Sequence, residues 1–168
     1  MGTATQIRNY RVRAGKSASE VASQLGLNES WYYDLEHYDD ELATTLTLFQ
    51  SMELASILGV RLRDLVNTDT WTDPSISLTE LPPLIEVHVA KVGISIEQFE
   101  EQVGWELREL MQSPFKAISE SPIIFVQAVA HQLSINWLSL VPDEQGNRQG
   151  LPADCRTYPF PIASFLTY

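Results

Sequence analysis

His37 stands beside Glu36, Asp39 and Asp40, and imidazole among carboxylates is the mixture that acid–base catalysis or a metal would use. The four residues fall where a helical pattern gives way to a loop, and a charged loop of this kind is ordinarily solvated rather than reactive. His88 and His131 lie inside apolar helical patterns, as core-edge residues do. Cys155 is the one cysteine and has Arg156 next to it; a nearby cation favours the thiolate, so a reactive thiol is the chemistry it could offer, a bystander its plainer reading. No metal-ligand spacing, P-loop or nucleophile elbow occurs. The expectation is a protein that is not an enzyme, with no cofactor and no metal. Binding chemistry remains. Trp31, Tyr32, Tyr33 and Tyr38 resemble a stacking strip. Helical spacing turns Tyr32 and Leu35 inward and leaves Trp31 and Tyr33 as an exposed partner-binding patch.

The elements that must position these residues are helical. The chain has 168 residues, of which 44% are hydrophobic, 10% aromatic and 20% charged, the composition of an ordinary folded protein. No apolar run reaches membrane-span length and no secretory signal is evident. A lone cysteine forms no internal disulfide, and a cytoplasmic location is expected. In residues 1–67 there is no proline, and short helical patterns are separated by Gly15, Gly26 and Gly59. Leu54, Ala55, Leu58, Leu62 and Leu65 share one helical face, as do Leu81, Leu84, Ile85, His88 and Val92. Strand signals are thin, so the fold class is all-α. Residues 68–78 read as a Pro-containing linker, 79–141 as a second helical domain, and 142–168 as an aromatic and Pro-rich C-terminal extension. In that extension Tyr158, Phe160, Ile162, Phe165, Leu166 and Tyr168 are apolar enough to cover a helical groove, in their own chain or a neighbour's.

The two helical parts are copies of one plan. Gly15 to Leu27 aligns with Gly93 to Trp105, matching Gly15/Gly93, Ser17/Ser95, Val21/Phe99, Leu25/Val103 and Gly26/Gly104 at a shift of 78. Leu54 to Val66 aligns with Val129 to Val141 at a shift of 75, so the second copy lacks three residues in between.

Arg11, Gly15-x-Ser17, Glu20-Val21-Ala22, Leu25-Gly26, Leu35-Glu36 and Leu54-Ala55…Leu58-Gly59-Val60 together resemble the Cro/repressor-like (XRE) helix-turn-helix family. The resemblance covers about Ile7 to Val66 and, more loosely, Leu84 to Val141. It implies two tandem five-helix domains, the second degenerate, and a DNA-binding transcriptional regulator. Ser17 and Glu20 have capping-box spacing, and Asn28 is a good N-cap for the third helix. By resemblance, Arg11 and Glu36 form a structural ion pair; the second copy has Val89 and Pro114 there, so both charges are lost together. By resemblance too, Asn28, Ser30 and Tyr33 face the bases, and Lys16 and Ser17 the phosphates.

Charge opposes that role. The net charge is −11, and its field repels phosphate backbones. Ser17-Ala18 stands where the family commonly carries a phosphate-gripping Gln. In the second copy the would-be reading helix carries Glu106 and Glu109 and is cut by Pro114. Two functions therefore stay open. One is a regulator binding double-stranded DNA through the first repeat. The other is an acidic protein-interaction module, an antirepressor or DNA mimic that uses Trp31, Tyr33, Glu106 and Glu109 on a basic protein partner. No membrane partner is expected, and either function is compatible with a homodimer.

Overall fold

The computed structural model describes residues 2–66 and 76–141. Cys155, the aromatic C-terminal extension and most of the expected linker lie outside these residues. The described residues form eleven α-helices and two 3-10 turns, with no strand among them. The fold is all-α, and it divides into two compact units, one holding residues 2–66 and the other 76–141.

The first unit runs α1 (Thr3–Arg13), α2 (Ala18–Gln24), α3 (Glu29–Leu35), α4 (Glu41–Thr44), α5 (Leu48–Ile57) and α6 (Leu62–Leu65). Three helix starts are set locally. Ser17 and Glu20 close a reciprocal capping box on α2, Thr47 and Gln50 do so on α5, and Asn28 Oδ1 accepts the Trp31 N–H at 2.8 Å to open α3. The start of α1 is capped from far along the chain. Asp39 Oδ1 accepts the Ala4 N–H at 3.0 Å, and its carboxylate occupies the space a Cβ on Gly2 would need. That anion also complements the positive end of the α1 dipole. α2 lies against α3 and α5, and α1 against α4 and α6. Their shared core holds Ile7, Val21, Ala22, Tyr32, Leu35, Leu42, Leu48 and Leu54. Leu54, Ala55, Leu58, Leu62 and Leu65 are all buried, on two helices parted by the turn at Gly59.

The second unit opens with a 3-10 turn at Leu78–Glu80. It continues as α7 (Leu81–Val92), α8 (Ile96–Val103), α9 (Arg108–Gln112), α10 (Pro114–Glu120) and α11 (Ile123–Gln132), and ends in a 3-10 turn at Trp137–Leu140. Displacing α1, α2 and α3 by 78 residues gives the bounds of α7, α8 and α9 to within one residue at each end. Displacing α5 and α6 by 75 gives α11 and the closing 3-10 turn residue for residue. The missing three residues therefore fall between α3 and α5. There Glu36 to Asp40 separate α3 from α4, whereas Ser113 alone separates α9 from α10. Equivalent side chains do equivalent work: Ile7/Ile85, Val21/Phe99, Tyr32/Leu110, Leu48/Ile123, Leu54/Val129 and Leu65/Leu140 are buried in both copies.

Two sequence expectations need correcting. Val92 is exposed and Val89 is buried, because the inward positions of α7 run Leu81, Ile85 and Val89 at i, i+4 spacing and Val92 falls off that line. His131 is exposed rather than at the core edge; the burial on α11 belongs to Val129 and Ala130 just before it. His88 is half-buried, its ring edge-on to Phe99 at 5.7 Å.

One position separates the copies energetically. The turn after α5 is made by Gly59 at φ +72°, and the turn after α11 by Ser134 at φ +55°. A side chain in this left-handed region costs about 1–2 kcal/mol, partly offset by the smaller unfolded-state entropy of a non-glycine residue. Ser134→Gly is therefore expected to stabilise the protein by about 0.5–1 kcal/mol, read as a higher urea midpoint at unchanged slope. A lower midpoint would show that the Ser134 side chain contributes more than its strain costs.

Candidate functional site

The interaction that fixes the first unit's exposed surface is the pair between Arg11, near the end of α1, and Glu36, the residue closing α3. Arg11 Nε–H donates to Glu36 Oε1 at 2.5 Å and Nη2–H to Oε2 at 2.9 Å, while Nη1–H donates to the Lys16 carbonyl at 3.0 Å. One guanidinium thus joins α1, the α1–α2 turn and the end of α3 in a two-point fork. The side chains are 15% and 6% exposed. Burial acts to raise the Glu36 carboxyl, but the hydrogen bonds and charge of Arg11, with the Tyr32 hydroxyl nearby, outweigh it and hold it below its usual range. The Tyr32 hydroxyl is pushed up, first by its own burial and then by the Glu36 charge; it is buried without a hydrogen bond of ordinary geometry.

With Tyr32 and Leu35 locked inward, α3 presents its other residues to solvent. Glu29, Ser30, Trp31 and Tyr33 are exposed, Trp31 at 55% and Tyr33 at 57%, and so are His37 and Tyr38 beyond the helix end. His37 does not join Asp39 and Asp40 in a catalytic set. Its ring stacks on Tyr33 with centroids 3.6 Å apart and planes at 18°, and its Nδ1–H donates to the Tyr33 carbonyl at 2.6 Å. Asp39 is occupied in capping α1.

The residues assigned to DNA by resemblance are near one another but largely committed. Ser17 Oγ accepts the Glu20 N–H at 3.2 Å and donates to Glu20 Oε2 at 2.8 Å. Glu20, held below the usual carboxylate range by the Ser17 backbone and then by its hydroxyl, places a negative charge at the α2 N-terminus. Lys16 Nζ reaches Gln24 Oε1 at 3.5 Å. Asn28 spends its carbonyl oxygen on the α3 cap, and a bidentate grip on adenine needs both its oxygen and its nitrogen. Ser30 and Tyr33 are the ones left open. Between Lys16 and Arg61 the chain contains no lysine or arginine, so α2, α3, α4 and α5 offer no cation to a phosphate.

In the second unit the equivalent surface is built differently. Glu100 reaches across to accept the Leu107 N–H at 2.7 Å just before α9, which has no side-chain cap of the kind Asn28 gives α3. Glu106 is exposed, but Glu109 is paired with Lys116 at 2.8 Å and is less available to a partner than its sequence position suggests. A shallow depression of about 480 Å³ beside α11 is lined by Ile124, Gln127, Ala128, Ala130, His131, Ile135, Asn136 and Trp137. Among the described residues no group of three or more His, Cys, Asp or Glu side chains is placed to hold a metal. No helix there is long and apolar enough to cross a membrane. No protein-family model and no curated protein matches the chain.

Removing one charge of the buried pair strands the other, so Arg11→Met should cost about 3–5 kcal/mol in urea unfolding. The double variant Arg11→Met/Glu36→Leu should recover most of that, since the second unit is built with Val89 buried at the equivalent of Arg11 and Pro114 at that of Glu36. The pH dependence has a definite sign. The folded Glu36 carboxyl lies below its unfolded value, so its stabilisation is complete above the unfolded value and disappears as pH falls through the folded one. The stability gap between wild type and Glu36→Gln should therefore close in acid, below about pH 4.3. A gap constant from neutral pH down to pH 2 would contradict the assignment.

Proposed function

We propose that this chain is an acidic protein-interaction module on a repressor-type helix-turn-helix scaffold, whose first unit presents the exposed face of α3 to a basic protein partner. One observation carries the reading. The 44 residues from Ser17 to Val60 hold eight carboxylates and no lysine or arginine, and the large side chains exposed in that stretch include Trp31, Tyr33 and Tyr38. Aromatic area is what protein interfaces select at their centres, and the exposed carboxylates around it attract a basic partner while repelling a phosphate backbone. The exposed carboxylates of the second unit, Glu106 among them, add to the long-range field.

A second reading keeps the function that the family resemblance implies, a DNA-binding regulator. What favours it is the Arg11–Glu36 pair, standing at the two positions where that family places its ion pair and holding Ser30 and Tyr33 outward.

Fluorescence anisotropy of the full chain separates the two. The expected result is no retention of a random-sequence duplex at low salt. A labelled basic helical peptide of mixed Lys and Arg should bind, weaken as salt is added, and weaken further on Trp31→Ala. Duplex binding with a log K against log[salt] slope of about −2 to −4, and no peptide binding, would establish the DNA reading instead.

A further inference from the structure

The α3 face has more specific geometry than a charged aromatic patch. Glu29, Tyr33 and His37 stand at successive i, i+4 positions and therefore line one edge of α3 and its continuation. His37, four residues after Tyr33, covers one face of the phenol ring in a near-parallel stack, and its Nδ1–H bond to the Tyr33 carbonyl fixes both the imidazole tautomer and its plane. Glu29, four residues before Tyr33, lies one turn toward the start of α3 along the same edge, and both side chains are exposed. Glu29 is exposed and engages no hydrogen bond or ion pair with the described residues. An oriented aromatic plane and an exposed carboxylate thus stand one helical turn apart on the same edge.

We infer that this edge receives an arginine of the basic partner, its guanidinium lying flat on the face of Tyr33 away from His37 while its N–H groups pair with Glu29. A guanidinium is planar and weakly hydrated, so it stacks on a ring and bonds a carboxylate at its edge in the same pose; a lysine ammonium is a hydrated point charge with no plane to match. The His37 stack holds Tyr33 in place before the partner arrives, which lowers the ordering cost of docking. No cation between Lys16 and Arg61 competes for Glu29. The second unit supplies an internal control: its equivalents of Glu29, Tyr33 and His37 are Leu107, Met111 and Phe115, and Leu107 is buried.

The inference builds on the proposed docking of a basic partner and is tested by a contrast that electrostatics alone would not produce. The full chain, 15N-labelled, is titrated at physiological salt with two helical peptides of equal length and charge, one carrying only arginine and the other only lysine. The arginine peptide should bind several-fold tighter, on the order of fivefold, with amide shifts centred on Glu29, Tyr33 and His37 rather than on α8 and α9. Tyr33→Leu, which keeps helix propensity and apolar bulk, should reduce arginine-peptide affinity to that of the lysine peptide. Glu29→Gln should weaken the arginine peptide without shifting the site. Equal affinities for the two peptides, or an arginine preference that survives Tyr33→Leu, overturns the inference; if both peptides still depend on Trp31, the interaction-module reading stands without it. A chain that retains duplex and neither peptide overturns both.

Discussion

The bidentate contact between Arg11 and Glu36 is the point on which the first unit turns. Three segments meet at one guanidinium: the last turns of α1, the backbone at Lys16, and the residue that closes α3. A charge this deeply buried is tolerated because each hydrogen-bonding edge has a partner. The same condition makes the helix crossing specific, since any slip of α3 along α1 would leave two ions desolvated and unpaired. Fixing the end of α3 also fixes its rotation. Tyr32 and Leu35 go inward, and Glu29, Ser30, Trp31 and Tyr33 are left to solvent. The surface available to a partner is thus a consequence of an interaction hidden beneath it.

The second unit shows how the same helix order is kept without that contact. Val89 and Pro114 stand where the ions were, and Val89 is buried. α9 and α10 are separated by Ser113 alone. The equivalents of Tyr38, Asp39 and Asp40 are absent, and on α9 Glu109 and Met111 stand at the equivalents of Trp31 and Tyr33. The core positions follow the opposite rule. Ile7/Ile85, Val21/Phe99 and Leu54/Val129 change size but stay apolar and buried, because removing such a side chain from a closed core costs several kcal/mol whatever the surface does.

Electrostatics gives the α3 face its character. Glu20 neutralises the N-terminus of α2 and Asp39 that of α1, the places where a helix ordinarily attracts an anion. The cations of the first unit lie before Ser17 or after Val60, and Arg11 is turned inward. What reaches solvent on α3 is ring faces and carboxylate. The proposed docking of a basic protein rests on that chemistry.

Much of this was legible in the residues themselves, and the reason is range. Capping boxes, helix faces and the inward turn of Tyr32 and Leu35 arise within three or four residues, where periodicity and side-chain reach decide the outcome. The matching helix order of the two units was legible because the same local signals recur at a fixed shift, and the all-α class followed from their helical period. The Arg11–Glu36 pair was suggested by resemblance rather than by any local rule. Tertiary structure alone decided what depends on segments brought together from a distance. Asp39 read as a loose acidic loop residue, and becomes the cap of α1 only because the chain folds it back across 35 positions. Ser134 takes a left-handed turn at φ +55°, a conformation its residue type does not announce. Glu109 loses its availability to Lys116, seven residues on and in the next helix. The His37–Tyr33 stack is local in spacing, yet the residues alone set His37 with Glu36, Asp39 and Asp40 in a solvated acidic loop. Only the packed core, which ends α3 at Glu36 and draws Asp39 toward α1, left the imidazole to the ring.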